Sequence, residues 1–257
     1  MSTGAEFGER ARRWSRRPET RGIFLLWTAL TVALVAFAFV PSRIMGPPAS
    51  STMRAVEETM TVFSIAAAPV AAIVWAISLY SLLKWRHRGA GPPPEDGPAI
   101  RSNGPVTTLW LVISSVLCAL LLIWGLAEME AVGDPASSAA APLVVDVTGQ
   151  QWVWTFSYPQ DGNVESDQLY LPKNRLVVFN VTSEDVIHSF WIVQMGVKVD
   201  ANPGETTNIR VVPDKLGVFD IRCAELCGLL HADMETSAHV VTSGDFASWV
   251  TAQGGHG

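Results

Sequence analysis

The rhythm of hydrophobic positions changes once along this chain. Before Glu128 they run together in three blocks, 23–40, 62–83 and 106–127, and none of these contains a charged residue. Each approaches the roughly 20 residues that cross a hydrocarbon layer as an α-helix, so three membrane spans are expected. Pro69 lies near the middle of the second block. A membrane helix tolerates proline there when a neighbour satisfies the carbonyl that it frees.

Beyond the third block the apolar residues come in short β-rich runs bounded by turn residues. Strands are expected at 143–147, 151–158, 169–171, 175–182, 189–193, 206–212, 217–222 and 237–241. Turns such as Pro159-Gln160-Asp161-Gly162 and Pro213-Asp214-Lys215-Leu216-Gly217 separate them. About eight short strands in this length predict a Greek-key β-sandwich or barrel, with 245–252 as a short closing helix. Two stretches read as linkers: the proline-rich 91–98, and 133–142, rich in Ala and Ser. The expected organisation is a basic amino terminus at 1–22, a membrane domain at 23–132, a hinge at 133–142 and an all-β domain at 143–257.

Charge gives this plan an orientation. Arg10, Arg12, Arg13, Arg16, Arg17 and Arg21 precede the first block, and Lys84, Arg86, Arg88 and Arg101 separate the second from the third. The loop between the first two blocks sets Arg43 and Arg54 against Glu57 and Glu58. Basic flanks stay cytoplasmic, which predicts a multi-pass protein of a prokaryotic cell membrane with its amino terminus inside and its β domain outside. The first block also reads as a cleavable signal, since Ala36-Phe37-Ala38 follows an arginine-rich start. Its length favours a retained anchor. From Glu128 onward 17 Asp and Glu stand against 6 Lys and Arg, a formal net of −11, which suits attraction of a basic partner.

The candidate chemistry sits in one loop. Cys223, Cys227, His231 and Met234 fall within twelve residues. Soft sulfur ligands select copper, zinc or iron–sulfur clusters, and a thioether beside Cys and His points to electron-transfer copper. One blue copper ion needs only one thiolate, so the second cysteine suggests a dinuclear centre. A disulfide or a structural zinc site would also suit two cysteines at this spacing. Under the expected topology His87 lies in a cytoplasmic loop and His256 in a Gly-rich tail, which leaves His188 and His239 as further imidazoles outside the loop. His239 is out of phase with the inward positions of its strand and reads as structural or surface. His188 stands at a turn entering a strand. Cys118, inside the third block, reads as a small packing residue.

Asp185-Val186-Ile187-His188-Ser189-Phe190-Trp191, Lys198-Val199-Asp200, Pro203-Gly204 and the stretch from Cys223 to Met234 together resemble cytochrome c oxidase subunit II. Gln151-Trp152-Val153-Trp154 is similar to the aromatic segment of that family. The resemblance covers nearly the whole β domain in the same order, following membrane spans. It implies a cupredoxin-like fold holding the two copper ions of a CuA centre. Cys223 and Cys227 would bridge both ions, and His188 and His231 would each cap one. Met234 and the main-chain carbonyl of Glu225 would be the weak ligands.

The same resemblance assigns further roles. Trp152 would receive the electron from a c-type cytochrome, although a core indole would fit its sequence position as well. The Glu225 side chain would reach a magnesium ion shared with subunit I, and Asp185, Lys198 and Asp200 would lie at or near that interface. Subunit I would supply the haems and the oxygen chemistry, with proton pumping, and a subunit III would accompany it. The sequence departs from the family pattern in its extra first block, in Thr107 ahead of Trp110 where a glutamate is usual, in Glu205 for an arginine and in Gln150 for a histidine. A copper-containing nitric oxide reductase subunit and a membrane-anchored copper-delivery protein remain as alternatives. Nitrous oxide reductase would need a large extra domain, and quinol oxidases lack the copper ligands.

Overall fold

The computed structural model describes residues 18–86, 103–132 and 141–255. The arginine-rich start, His87, the proline-rich linker, most of 133–142 and His256 lie outside the described residues. Within them the chain divides into two compact units, and Ser42–Thr59 groups with Leu126–Gly257 rather than with the other helical residues.

The three apolar blocks are helices. They form α1 (Pro18–Phe37), followed by the short α2 (Val40–Ile44), then α3 (Ser51–Tyr80), which runs on into a wider turn at Ser81–Trp85, and α4 (Gly104–Val132). Each long helix is apolar enough over a sufficient length to cross a membrane. In the first unit the Trp27 indole donates to the Pro69 carbonyl at 2.9 Å. A Cβ at Gly22 would lie 2.8 Å from the Tyr80 ring, so glycine permits that close approach. Ala68, Ala72 and Ala76, one helical turn apart, are buried.

Helix α3 starts well ahead of the expected position 62. Its first residues are too polar to register as an apolar block. They form a helix because the Ser50 hydroxyl accepts from the Met53 N–H at 3.0 Å and so satisfies an otherwise orphan donor.

Among the described residues the second unit holds ten strands: β1 (Leu143–Gln150), β2 (Val153–Tyr158), β3 (Val164–Ser166), β4 (Leu169–Pro172), β5 (Val177–Ser183), β6 (His188–Ile192), β7 (Val197–Ala201), β8 (Thr207–Val211), β9 (Gly217–Cys223) and β10 (Glu235–Val241). They build two five-stranded sheets, β3-β2-β1-β5-β8 and β4-β10-β9-β6-β7. The chain passes repeatedly from one sheet to the other. Pairing is antiparallel except for β1 with β5 and β10 with β4.

Alternation drives this assembly. Along β5 every second residue, Val177, Phe179, Val181 and Ser183, is buried, and the inward residues of both sheets meet as a single core. Phe190 of β6 packs its ring against Trp154, Phe156 and Phe179 of the opposite sheet, with centroids 5.4–6.1 Å apart. Helix α5 (Ser243–Ala252) closes the barrel end, capped by the Thr242 hydroxyl and packed through Phe246 and Trp249 on Tyr158. The Tyr158 hydroxyl accepts from the Tyr170 N–H at 2.7 Å and donates to the Tyr170 carbonyl at 3.0 Å. Burial pushes its pKa up.

Two strands were not foreseen. Strand β3 has three residues, too few to show a period. Strand β7 follows β6 after a single 3₁₀ turn at Val193–Met195 and a left-handed Gly196, with φ +64°. The apolar run from Phe190 to Val199 conceals that turn.

Ser42–Thr59 brings a strap onto the sandwich. Ala49 N–H donates to the Gln194 carbonyl at 2.8 Å, and the Ala49 carbonyl accepts from Asp214 N–H at 2.9 Å. The Ser50 hydroxyl donates to the Met195 carbonyl at 2.7 Å, and Arg54 pairs with Asp214. A Cβ at Gly196 would stand 3.2 Å from the Met53 main chain, so glycine there lets the strap sit close.

Candidate metal centre

The loop from Cys223 to Met234 joins β9 to β10, and pairing of Arg222 with Glu235 closes its base. Cys223 N–H donates to the Met234 carbonyl at 3.0 Å, and Ala224 N–H donates to the Ser189 carbonyl at 2.9 Å. These bonds hold the start of the loop against β6. Phe190 lies opposite Cys223 in the β6–β9 register, which sets His188 beside the thiol.

All six sequence-predicted ligand groups come together here. The His188 Nδ1 lies 3.9 Å from Cys223 Sγ, and the two Sγ atoms are 3.7 Å apart. Cys227 Sγ lies 3.6 Å from His231 Nδ1 and 3.7 Å from Met234 Sδ. The Glu225 carbonyl is 3.2 Å from Cys223 Sγ. Both cysteines are free thiols, far from the about 2.05 Å of a disulfide bond. His188, Cys223, Cys227 and Met234 are buried. Burial first, and then the neighbouring Cys223 thiol, push the Cys227 thiol pKa up, so metal uptake there must displace a proton.

The imidazole of His188 is oriented from behind. Its Nε2 lies 2.9 Å from Asp185 Oδ1, which leaves Nδ1 for the thiol side, a carboxylate–imidazole arrangement typical of metal-binding histidines. Burial pushes the Asp185 carboxyl up, but hydrogen bonds from His188 and from the Gln151 and Val186 N–H groups outweigh it and hold the pKa at about 2. Gly149 makes room for this packing, because a Cβ there would lie 3.2 Å from the His188 ring and 3.1 Å from Trp154.

The Trp152 indole lies between core and solvent. It is half-buried against the core, and a Cβ at Gly228 would meet its ring at 3.2 Å. It therefore rests on the loop that carries the ligand candidates. Its Nε1 is shielded and has no hydrogen-bond partner among the described residues. The Glu225, Lys198 and Asp200 side chains are exposed. A cavity of about 590 Å³ opens beside the loop, lined in part by Gln151, Ile187, Asp200, Glu225 and Leu226. His239 stays apart from the centre, on β10, stacked on Tyr170 at 4.6 Å. Sequence reasoning passed over Gly149 and Gly228, whose lack of a side chain admits the rings around them.

Apolar helices followed by a cupredoxin-like β-sandwich, with sulfur and imidazole donors gathered in one hairpin loop, define a membrane-anchored domain of the copper-protein type. Residues 165–241 match the family model for the periplasmic domain of cytochrome c oxidase subunit II. A cytochrome c oxidase subunit 2 from Alkalihalophilus pseudofirmus is 29% identical over 236 residues, which cover 90% of this chain and 68% of that protein. One from Thermostichus vulcanus is 40% identical over 157 residues, covering 61% of this chain and 46% of that protein. Among solved structures, the periplasmic domain of subunit II (CoxB) of Bradyrhizobium japonicum is 34% identical with a TM-score of 0.43, and 96% of that domain matches 46% of this chain. By these matches the chain is similar to members of the cytochrome c oxidase subunit II family.

Proposed function

We propose that the chain accepts electrons for a respiratory oxidase through two copper ions held by His188, Cys223, Cys227, His231, Met234 and the main-chain carbonyl of Glu225. The observation that carries this reading is the convergence of two thiols, two imidazole Nδ1 atoms, a thioether and that carbonyl around one largely buried point. The donor set fits copper, since soft sulfur and imidazole suit it and a thioether adds nothing for zinc. When bound, copper held by these residues would supply a one-electron relay.

The residues of the chain serve that relay by position. Asp185 fixes the His188 ring, the β9–β10 pairing pins both ends of the loop, and the sandwich core excludes water from the buried donors. Trp152, resting on the loop, is the proposed point of electron arrival. The acidic β domain, net −11 from Glu128 onward, favours a basic c-type cytochrome as donor, with an on-rate that falls steeply with salt. The acceptor is a haem of subunit I, where oxygen is reduced with proton pumping, and subunit III completes the assembly. The exposed Glu225 side chain is available to a magnesium ion at the boundary with subunit I. The proposed topology is a cytoplasmic amino terminus, three retained spans and an extracytoplasmic sandwich. The Trp27 bond to Pro69 supports retention of the first span, and the intact mass of protein purified from membranes tests it.

Electron paramagnetic resonance of the copper-loaded full chain in detergent tests the centre. One unpaired electron coupled to two copper nuclei is expected; a mononuclear spectrum at full loading overturns the reading. Cys223→Ser and Cys227→Ser should each abolish the signal, whereas Met234→Leu should keep two coppers at a shifted potential. Trp152→Phe should retain copper and slow electron acceptance.

A further inference from the structure

Gln151 stands where two hydrogen-bond chains meet. Its main-chain N–H donates to Asp185 Oδ2 at 2.8 Å, and the other oxygen of that carboxylate holds His188 Nε2 at 2.9 Å. Its side-chain amide donates to the Cys227 carbonyl at 2.8 Å. One residue thus reaches a histidine ligand candidate through its main chain and a cysteine ligand candidate through its side chain. The two ligand candidates come from separate strands of sequence, β6 and the β9–β10 loop.

Gly228 completes the arrangement. A Cβ there would lie 2.9 Å from Gln151 Nε2 and 3.2–3.3 Å from the Trp152 indole, and its φ of +126° favours glycine. The absence of a side chain lets Gln151 and Trp152 lie side by side on the loop immediately after Cys227. An amide on an exposed residue would ordinarily be satisfied by water. This one is instead spent on a carbonyl of the loop, next to the indole.

We propose that Gln151 is a positioning residue that braces the loop from Cys227 to Gly228 against Asp185, fixing the Cys227 peptide, the His188 ring and Trp152 in one register. The proposal rests on the copper reading above for its significance, but the brace itself is a property of the metal-free chain. A net intramolecular hydrogen bond corresponds to about a 2- to 10-fold change in an opening equilibrium.

Two measurements separate the brace from the metal. In the metal-free full chain, Gln151→Met keeps the length of the side chain and removes the donor. It should speed amide hydrogen exchange in 223–234 by about 2- to 10-fold while leaving β1 and β5 unchanged. Asp185→Ala should also speed exchange in that loop. In the double variant the two losses should fall short of their sum, because both act through Gln151. Exchange in Gln151→Met equal to that of the unaltered chain, or losses that simply add, overturns the brace. In copper-loaded protein, Gln151→Met should still bind two coppers with altered hyperfine splittings and a shifted midpoint potential; an identical spectrum and potential also overturns it. If the unaltered chain fails to take up copper, the copper reading falls while the exchange arm still decides the brace.

Discussion

Helix α4 and strand β6 are both rich in apolar residues, yet the molecule treats them in opposite ways. None of the apolar window of α4 is buried within the chain, whereas four of the five residues of β6 are. Hydrophobicity in α4 is addressed to surroundings that are not water, and the helix needs only length and composition to satisfy them. In β6 it is addressed to the opposite sheet. Each side chain there has named neighbours, and shape matters as much as polarity.

The sharpest break of this comparison is a matched pair of truncations. Phe190→Ala removes a ring that touches Trp154, Phe156 and Phe179 and should cost about 3–5 kcal/mol. Because Phe190 lies opposite Cys223, copper retention should weaken with it. Leu120→Ala in α4, at a side chain 59% exposed, leaves no cavity within the chain and should cost under about 1 kcal/mol. Denaturant unfolding of the detergent-solubilised chain measures both. Equal costs would mean that α4 is packed as tightly as the sandwich.

The strap offers a smaller test on a segment of intermediate character. Ser50→Ala removes both the cap on Met53 N–H and the bond to the Met195 carbonyl, for an expected loss of about 1–2 kcal/mol. Susceptibility of the 42–59 segment to protease should rise in parallel. An unchanged stability and digestion pattern would show that the strap contributes nothing to its unit.

How much of this could be read from the sequence follows the same division. Charge-free blocks and β alternation report the average environment of a segment, so the three long helices and eight of the strands were legible, most with ends displaced by a few residues and α3 with its start eleven residues early. The ligand candidates were legible because Cys, His and Met are rare and fell in a familiar order. What the sequence concealed depends on long-range closure. The strap joins Ala49 to Gln194 and Asp214, and no local pattern announces a partner so distant in the chain. Gln151 looked like one member of an aromatic segment, because its two hydrogen bonds exist only once β1, the Asp185 turn and the metal loop have met. Trp152 was expected either to receive the electron or to fill the core, and its half-burial against Gly228 of another loop is invisible to a period of two.

The smallest effect concerns the outer face of the sandwich, which belongs to neither class. His239 points away from the core on β10, but its ring stacks on Tyr170, which stacks on Trp249 in turn at 4.4 Å. Its Nε2 is shielded and has no hydrogen-bond partner among the described residues. Burial therefore lowers its pKa from the ordinary 6.5, since a charged ring there would lose water and gain no partner. On acidification the unfolded chain takes up this proton before the folded one does. Stability from this group is thus complete above about 6.5 and declines as pH falls from there toward the lower folded value. Thermal unfolding of the metal-free chain should give a lower midpoint at pH 5.5 than at pH 8. His239→Phe, which keeps a ring for the stack and cannot titrate, should narrow that gap. A gap as wide in His239→Phe as in the unaltered chain would mean that the ring is as well solvated as any surface histidine. The stack would then be decoration on the outer face, and only the core and the lipid-facing helices would carry the stability of the two regions.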